Sequence, residues 1–289
     1  MWPAEQAVSP EVAEIFVEEK INWMIADEAI LFNSRKRARR TAFTLYRPYC
    51  IVTPAGNINI VFRDRNLSDL IGFQYHRMHH EDAVNDFIFH LSQIKATVKA
   101  RNVLVVVALD GENAWEYYRW DGFDFLRTLY TGLQNLDFVK CCTIKDYLNR
   151  YPSRGKLSCL STGSWINADF YKWIGKPRKN YAWDLLFQAR SLLNSKKLSV
   201  DVKEKALQQM YILEGSDWFW WQDDEENGIF DFLFRLHLRN FYTIMQERGP
   251  NILDHPLAKS IPEGYAPVSY THLRAHETRH DLVCRLLLE

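Results

Sequence analysis

The chain has 289 residues, of which 47% are hydrophobic and 25% charged, the composition of an ordinary globular protein of one large or two modest domains. Lys and Arg together number 36, as do Asp and Glu, so the net charge gives no sign of a nucleic-acid or membrane-surface partner. The five cysteines fit neither a disulfide framework nor a zinc motif and favour a cytoplasmic location, and no apolar run approaches the length of a membrane span.

The first 135 residues alternate strand-like and helical segments. Ser9 and Pro10 are typical of a helix start, with Ser9 as the cap, and a longer helix is expected over 81–100. Strands are predicted at 23–26, 49–52, 58–62 and 102–109. The last of these is the most strongly β-like, and it is apolar on both faces, as a strand buried between helices would be.

Three of the predicted strands end in charged residues, at Asp27-Glu28, Arg63-Asp64 and Asp110. In parallel α/β barrels, functional side chains gather at the carboxyl ends of the strands. We therefore interpret residues 1–135 as the second half of a catalytic (β/α) barrel, with too few strands to close one.

Residues 136–267 are predicted to form a helical bundle domain that contributes to the active site. Helices are expected over 181–193, 201–213 and 229–245. Asp201 and Glu204 resemble a capping box at the start of the second of these helices. The last segment, 268–289, resembles a translated adaptor sequence, and we predict that it is a non-native tail.

Two carboxylic residues are candidates for catalysis. Glycosidases commonly use one ionised carboxyl group to attack the anomeric carbon and one protonated group to release the leaving oxygen. Glu5, between Trp2-Pro3 and a helix start, and Asp110, at the end of the valine-rich strand, lie where such groups are expected. Each also has an ordinary structural explanation, as a first-turn Glu and a turn-forming Asp.

The surroundings of both residues favour the catalytic interpretation. The run from Met1 to Glu5, MWPAE, resembles the nucleophile region of glycoside hydrolase family 57, which reads close to Trp-Pro-Ser-Glu, with Ala4 in place of the usual Ser. The run LDGENAWE at 109–116 is similar to the acid/base region of that family, and EGSDWFWW at 214–221 to its last conserved region. Further matches are FRD at 62–64, LSDLIGF at 67–73 and TGSWI at 162–166.

The resemblance covers residues 1 to about 265, with the motifs in the order of the family. It implies an α/β fold, a partial (β/α)7 barrel followed by a helical bundle, and a retaining enzyme acting on α-1,4- or α-1,6-glucans such as starch, glycogen and maltodextrin. Glu5 would be the nucleophile and Asp110 the general acid/base. Members include α-amylases, amylopullulanases, branching enzymes and 4-α-glucanotransferases, so hydrolysis and glycosyl transfer both stay open. No cofactor and no metal are implied.

The resemblance also implies substrate-binding residues. Asp217 would hydrogen-bond sugar hydroxyls, and Trp220 would stack on a sugar ring. The other candidates are Trp2, Arg63, Asp64, Glu112, Trp115, Trp165, Trp218 and Trp221. Arg63 and Asp64 are equally well explained as an ion pair that braces the barrel mouth, and Trp218 and Trp221 as core residues.

One departure from the family bears on activity. The first two motif regions of the family, which supply histidines to the glucose site, lie upstream of the nucleophile, and Met1 aligns with a residue that is ordinarily internal. We therefore expect an N-terminally truncated fragment, whose activity alone is open. The alternatives are a non-catalytic α-glucan-binding fragment or pseudoenzyme, and a metal-dependent deacetylase, for which no Asp/His ligand set is visible.

Two further patterns have ordinary explanations. His76, His79 and His80 match no common zinc spacing and are better explained as the start of a helix. The basic run at 34–40 is typical of a solvated loop.

Overall fold

A computed structural model of the chain describes residues 1–35, 41–98, 100, 102–111, 114–153, 155–222 and 228–257. The basic run at 36–40, the candidate Glu112 and the tail at 268–289 lie outside these residues. Two compact units are present, the first spanning Met1–Asp169 and the second beginning at Phe170. The domain boundary near residue 135 stays a prediction.

The first unit contains most of the strands and helices that were expected before residue 135. Its helices are α1 Pro10–Glu18, α2 Glu28–Ser34, α3 Ala42–Leu45, α4 Arg65–Phe73, α5 His80–Thr97, α6 Phe123–Gln134 and α7 Ile144–Arg150. Its strands are β1 Trp23–Asp27, β2 Tyr49–Thr53, β3 Gly56–Arg63 and β4 Gly155–Leu157. Short 3-10 turns lie at Ala4–Gln6, Tyr75–Arg77, Trp115–Tyr117 and Arg119–Gly122.

The strands form one mixed sheet in the order β1-β3-β2-β4. β1 is parallel to β3, β2 and β3 form an antiparallel hairpin, and β4 is parallel to β2. The strands predicted at 23–26, 49–52 and 58–62 are confirmed, whereas β4 lies in a stretch for which helices were expected. The unit is therefore mixed α/β, as predicted, although four strands do not by themselves establish a barrel.

The prediction of a regular strand at 102–109 is wrong. Over these residues, all of which the structure describes, no strand is assigned. Isolated backbone bonds replace a ladder: Val106 O accepts from the Asp64 N–H at 2.8 Å, and the Leu104 N–H donates to Tyr46 O at 3.0 Å. The expected burial on both faces is nevertheless present, because residues 104, 106 and 108 pack with Ile25 while residues 105, 107 and 109 pack against α4, α5 and α6.

Strand ends in this unit lead directly into capped helices. The Asp27 carboxylate ends β1 and accepts the Ala29 N–H at 2.9 Å, and Asp64 follows β3 and accepts the Leu67 N–H at 2.9 Å. Ser9 caps α1 in the same way, as predicted, through the Val12 N–H at 3.2 Å. Such caps satisfy amide groups that would otherwise lack partners in the first helical turn.

The second unit is helical over its described residues. Its helices are α8 Pro177–Ser195, α9 Val200–Leu213, α10 Asp217–Trp221 and α11 Ile229–Ile244, followed by a 3-10 turn at Asn251–Asp254. α9 begins at Val200 after Ser199, so the prediction that Asp201 caps it is wrong and Asp201 lies in the first turn. Among the described helices of both units, none combines the length and the apolar character that a bilayer span requires.

A buried ion-pair network joins β1 to β3. Asp27 and Arg63 are partners in the parallel register, and the Arg63 Nε lies 2.8 Å from Asp27 Oδ2. The Asp27 side chain is fully buried and the Arg63 side chain is 8% exposed, and the guanidinium of Arg65 binds the other oxygen of Asp27. Arg63 also reaches Asp69 Oδ1 at 3.4 Å and Ala108 O at 3.3 Å.

We expect Asp27→Ala to lower the free energy of unfolding by about 3–5 kcal/mol, because removing one partner leaves a buried guanidinium without its main counter-ion. Urea denaturation followed by circular dichroism measures this loss. The control is Arg127→Ala, which breaks an exposed pair with Asp124 at 3.3 Å and should cost less than about 1 kcal/mol. A loss for Asp27→Ala no larger than that of the control would contradict the prediction.

Candidate active site

Glu5 lies in the 3-10 turn Ala4–Gln6 and is half-buried. Its backbone is left-handed, with φ 55° and ψ 22°, and that of Gln6 follows with φ 47°. Residues other than glycine adopt this conformation at a cost of about 1–2 kcal/mol each, and such strain concentrates at functional sites. The strained turn at Glu5 therefore motivates the hypothesis that this position is functional.

Trp165 fastens this turn to a distant part of the chain. Its indole Nε1–H donates to Glu5 Oε2 at 2.9 Å, and its backbone N–H donates to Glu5 O at 3.1 Å. Three residues further on from Glu5, Val8 and Gly163 exchange two backbone hydrogen bonds, of 2.9 and 3.0 Å. A Cβ at Gly163 would lie 2.2 Å from the Ala168 oxygen, so this close approach requires glycine.

Arg63 links Trp165 to the segment that ends in Asp110. Its guanidinium carbon lies 4.9 Å from the centre of the Trp165 ring, and its Nη1 donates to the oxygen of Ala108, two residues before Asp110. Trp2 contacts Trp165 edge to face, with ring centres 5.3 Å apart. Contacts through Trp165 and Arg63 thus connect the Glu5 turn with the half-buried segment that leads into Asp110.

The other predicted site residues of the first unit have contacts within the protein. Asp64 is buried, caps α4 and accepts the Tyr46 phenol at 2.8 Å. Arg63 pairs with Asp27 and Asp69 rather than with Asp64. These contacts support a bracing role for each residue, although the ion pair expected between Arg63 and Asp64 is not formed between these described side chains. Trp115 packs on Tyr118 and Phe125, with ring centres 5.4 and 6.4 Å apart, whereas Trp2 is exposed.

In the second unit, Asp217 is exposed at the start of α10. The indole of Trp218 donates to Ile212 O at 2.7 Å, and its ring is partly buried beside Phe234, a placement that supports core packing. Two neighbouring indoles keep exposed surface: Trp220 is half-buried, and Trp221, 40% exposed, stacks on Phe230.

An open pocket of about 340 Å³, lined by both polar and apolar residues, lies in the first unit and was not predicted from the sequence. Its lining includes Glu28, Tyr46, Asp64, His90 and Gln93. Burial and the neighbouring Asp64 raise the pKa of Tyr46 far above its ordinary value, and burial raises the pKa of Glu28. In the sequence, Glu28 stood out only as a charged residue at a strand end, whereas Asp64 was also a candidate substrate-binding residue.

His79 and His80 lie at the start of α5, as expected, whereas His76 lies in the preceding 3-10 turn Tyr75–Arg77. α5 begins at His80, whose Nδ1 lies 2.9 Å from Thr128 Oγ1, and the rings of His79 and His80 are 4.4 Å apart. Within the described ranges, no group of three or more His, Cys, Asp or Glu side chains is arranged to hold a metal ion.

Comparison with known proteins gives the family. Residues 1–159, more than half of the chain, match the sequence model of glycosyl hydrolase family 57. The chain belongs to glycosyl hydrolase family 57. Among curated protein sequences, none matches this family 57 chain.

Solved structures share the fold. A GH57 branching enzyme from Thermococcus kodakaraensis is 16% identical, with a TM-score of 0.65 over 90% of this chain and 62% of that one. A GH57-type branching enzyme from Pyrococcus horikoshii is 15% identical, with a TM-score of 0.65 over 99% and 62%. An α-amylase from Thermotoga maritima is 14% identical, with a TM-score of 0.61 over 85% and 58%. This family 57 chain therefore spans about three fifths of the length of each.

We expect Glu28→Gln to become more stable relative to the native chain as the pH rises. Because burial raises the pKa of Glu28 above its ordinary value of 4.5, the folded state holds the proton more tightly than the unfolded state. Ionisation of Glu28 therefore opposes folding increasingly as the pH rises from about 4.5 through the folded-state pKa. Urea denaturation of both proteins at several pH values measures the difference.

The matched control is Glu11→Gln, an exposed first-turn residue of α1. This variant removes a carboxylate that is exposed to solvent, so it shows how much of any pH dependence arises without burial. A Glu28→Gln difference that is independent of pH would contradict the burial argument.

Proposed function

We propose that this protein is a retaining glycoside hydrolase or transglycosylase acting on α-1,4- or α-1,6-glucans, with Glu5 as nucleophile and Asp110 as general acid/base. The observation that carries the proposal is the position of Glu5 within a family 57 chain. Its carboxylate is hydrogen-bonded in a strained turn that Trp165 and Arg63 connect with the segment ending in Asp110.

In the first half-reaction, a Glu5 carboxylate oxygen bonds to the anomeric carbon as the glycosidic C–O bond breaks. Asp110 gives its proton to the departing oxygen. In the second half-reaction, Asp110 takes a proton from water or from a sugar hydroxyl, whose oxygen bonds to the anomeric carbon and releases Glu5. Two inversions give net retention, which requires carboxyl groups about 5–5.5 Å apart.

The same first half-reaction serves hydrolysis and transfer, since only the acceptor differs. The names of the similar structures support an α-glucan substrate, because two are branching enzymes and one is an α-amylase. The proposal includes the fold: the sheet of the first unit would be part of a (β/α)7 barrel. Exposed faces of Trp2 and Trp221 and the exposed carboxylate of Asp217 are then available to sugars.

We expect Glu5→Ala and Asp110→Ala each to lower kcat on an aryl α-maltooligosaccharide by about a thousandfold or more, because each removes a group that takes part in bond making or proton transfer. Azide then identifies the roles. In Glu5→Ala it should attack directly and yield the β-glycosyl azide. In Asp110→Ala it should attack the β-linked intermediate and yield the α-glycosyl azide. Product NMR distinguishes the anomers.

Glu11→Ala and Asp137→Ala, both exposed, are matched controls and should keep the native rate. If Glu5→Ala gave the α-glycosyl azide and Asp110→Ala the β-glycosyl azide, the assigned roles would be reversed. A native chain that binds maltooligosaccharides without cleaving them would overturn the catalytic proposal in favour of a non-catalytic glucan-binding protein.

A further inference from the structure

We propose that Trp165 is a positioning residue for Glu5, holding its carboxylate ionised and oriented through the indole N–H rather than presenting an aromatic face to the sugar. The inference rests on the proposed function only where it calls Glu5 the nucleophile. The contact between the two side chains can be tested whether or not the chain turns over a glucan.

The hydrogen bond has a fixed direction. An indole nitrogen carries a proton and cannot accept, so Trp165 Nε1–H donates to Glu5 Oε2, at 2.9 Å. A donor at this distance stabilises an ionised carboxylate more than a protonated one, which lowers the carboxyl pKa. A nucleophilic carboxylate needs that ionised form.

Two contacts join the same pair of residues. Besides the side-chain bond, the Trp165 backbone N–H donates to the Glu5 oxygen at 3.1 Å. The turn at Glu5 is therefore attached to the loop at Trp165 through both the backbone and the side chain of Trp165. Since Glu5 is held in a left-handed conformation, this double attachment helps to keep its side chain in one direction.

The indole is itself held in place by Arg63. The guanidinium lies over one face of the ring, with its carbon 4.9 Å from the ring centre, which leaves less aromatic surface for a sugar. Arg63 is fixed in turn by Asp27 at 2.8 Å and Asp69 at 3.4 Å. Because the cation holds the ring in place, the N–H of the ring points in a constant direction.

Among the described residues, the charged groups that contact the indole include Glu5 and Arg63. Asp27, Arg65 and Asp69 lie around Arg63, and Glu28 lies beside Arg65. Arg63 and Arg65 stay charged at all ordinary pH values. Asp69 can titrate, and burial raises its pKa. A pH-dependent signal at Trp165 can therefore arise from Glu5 or from a buried carboxyl acting through Arg63, and the experiment must separate the two sources.

The test is an NMR titration of the indole N–H signals of the full chain, with the Trp165 signal assigned as the one missing in Trp165→Phe. We expect the Trp165 signal to shift along a single titration curve, because the charge on the acceptor of its N–H changes when Glu5 takes up a proton. The shift should disappear in Glu5→Gln and persist in Asp69→Asn. The Trp23 signal, assigned through Trp23→Phe, should not change in Glu5→Gln.

A Trp165 signal that does not titrate, or that titrates equally in Glu5→Gln, would overturn the inference. Loss of the titration in Asp69→Asn alone would assign it to Arg63 and its partners, and would also overturn it. None of these outcomes depends on turnover, so they are distinct from a failure of the proposed function.

Where the chain is active, kinetics gives a second readout. We expect Trp165→Phe to lower kcat/KM by on the order of a hundredfold through misplacement of the carboxylate, and to move the acidic limb of its pH profile to higher pH. Trp23→Phe, the matched control, should leave both unchanged. A rise in KM without a change in kcat or in the acidic limb would show that Trp165 stacks on substrate instead, and would contradict the positioning role.

Discussion

The buried contact between Asp27 and Arg63 fixes the part of the molecule from which the candidate site is built. It joins the carboxyl ends of two parallel strands, and the same guanidinium reaches the Trp165 ring and the Ala108 oxygen. Taking these charges out of water costs several kcal/mol per ion, which close geometry only partly offsets. We therefore interpret the network as a device that sets geometry more than one that adds net stability.

The Glu5 turn depends on this geometry. Two successive residues in the left-handed conformation, Glu5 and Gln6, are unfavourable by themselves. A single hydrogen bond contributes a net stabilisation of only about 1 kcal/mol, so several contacts are needed to hold the turn. The turn is held by the Trp165 contacts and by the paired backbone bonds between Val8 and Gly163. These partners are about 160 residues away along the chain, so the carboxylate acquires its orientation only when the whole first unit has folded.

Local patterns in the sequence predicted local structure well. β1, the β2–β3 hairpin and the start of α1 followed from short apolar runs, turn residues and a cap, all of which act within a few residues. The segment 102–109 was predicted to be buried on both faces, and one face is buried while the other is partly buried. A strand also needs hydrogen bonds to neighbouring strands, which apolarity does not encode. β4 has three residues, too few for any period to appear.

The candidate site was predictable only in part. Motif resemblance placed Glu5, Asp110 and Trp165 in regions of one family and made Trp165 a candidate substrate-binding residue. Its bond to Glu5 spans a sequence separation that no periodicity reports. The same holds for Arg63, for which the sequence left ligand contact and bracing equally open until its buried partners were known.

The tryptophans show why aromatic content alone cannot identify a sugar site. Trp218 and Trp183 donate their indole protons to backbone oxygens, of Ile212 and Trp173, and so stabilise the fold of the second unit. Trp165 donates to a carboxylate instead, and a carboxylate held by a fixed donor has its charge state and direction set together. The partner of the indole N–H, rather than the presence of the ring, thus separates the tryptophans that bind the backbone from the one that binds the proposed nucleophile.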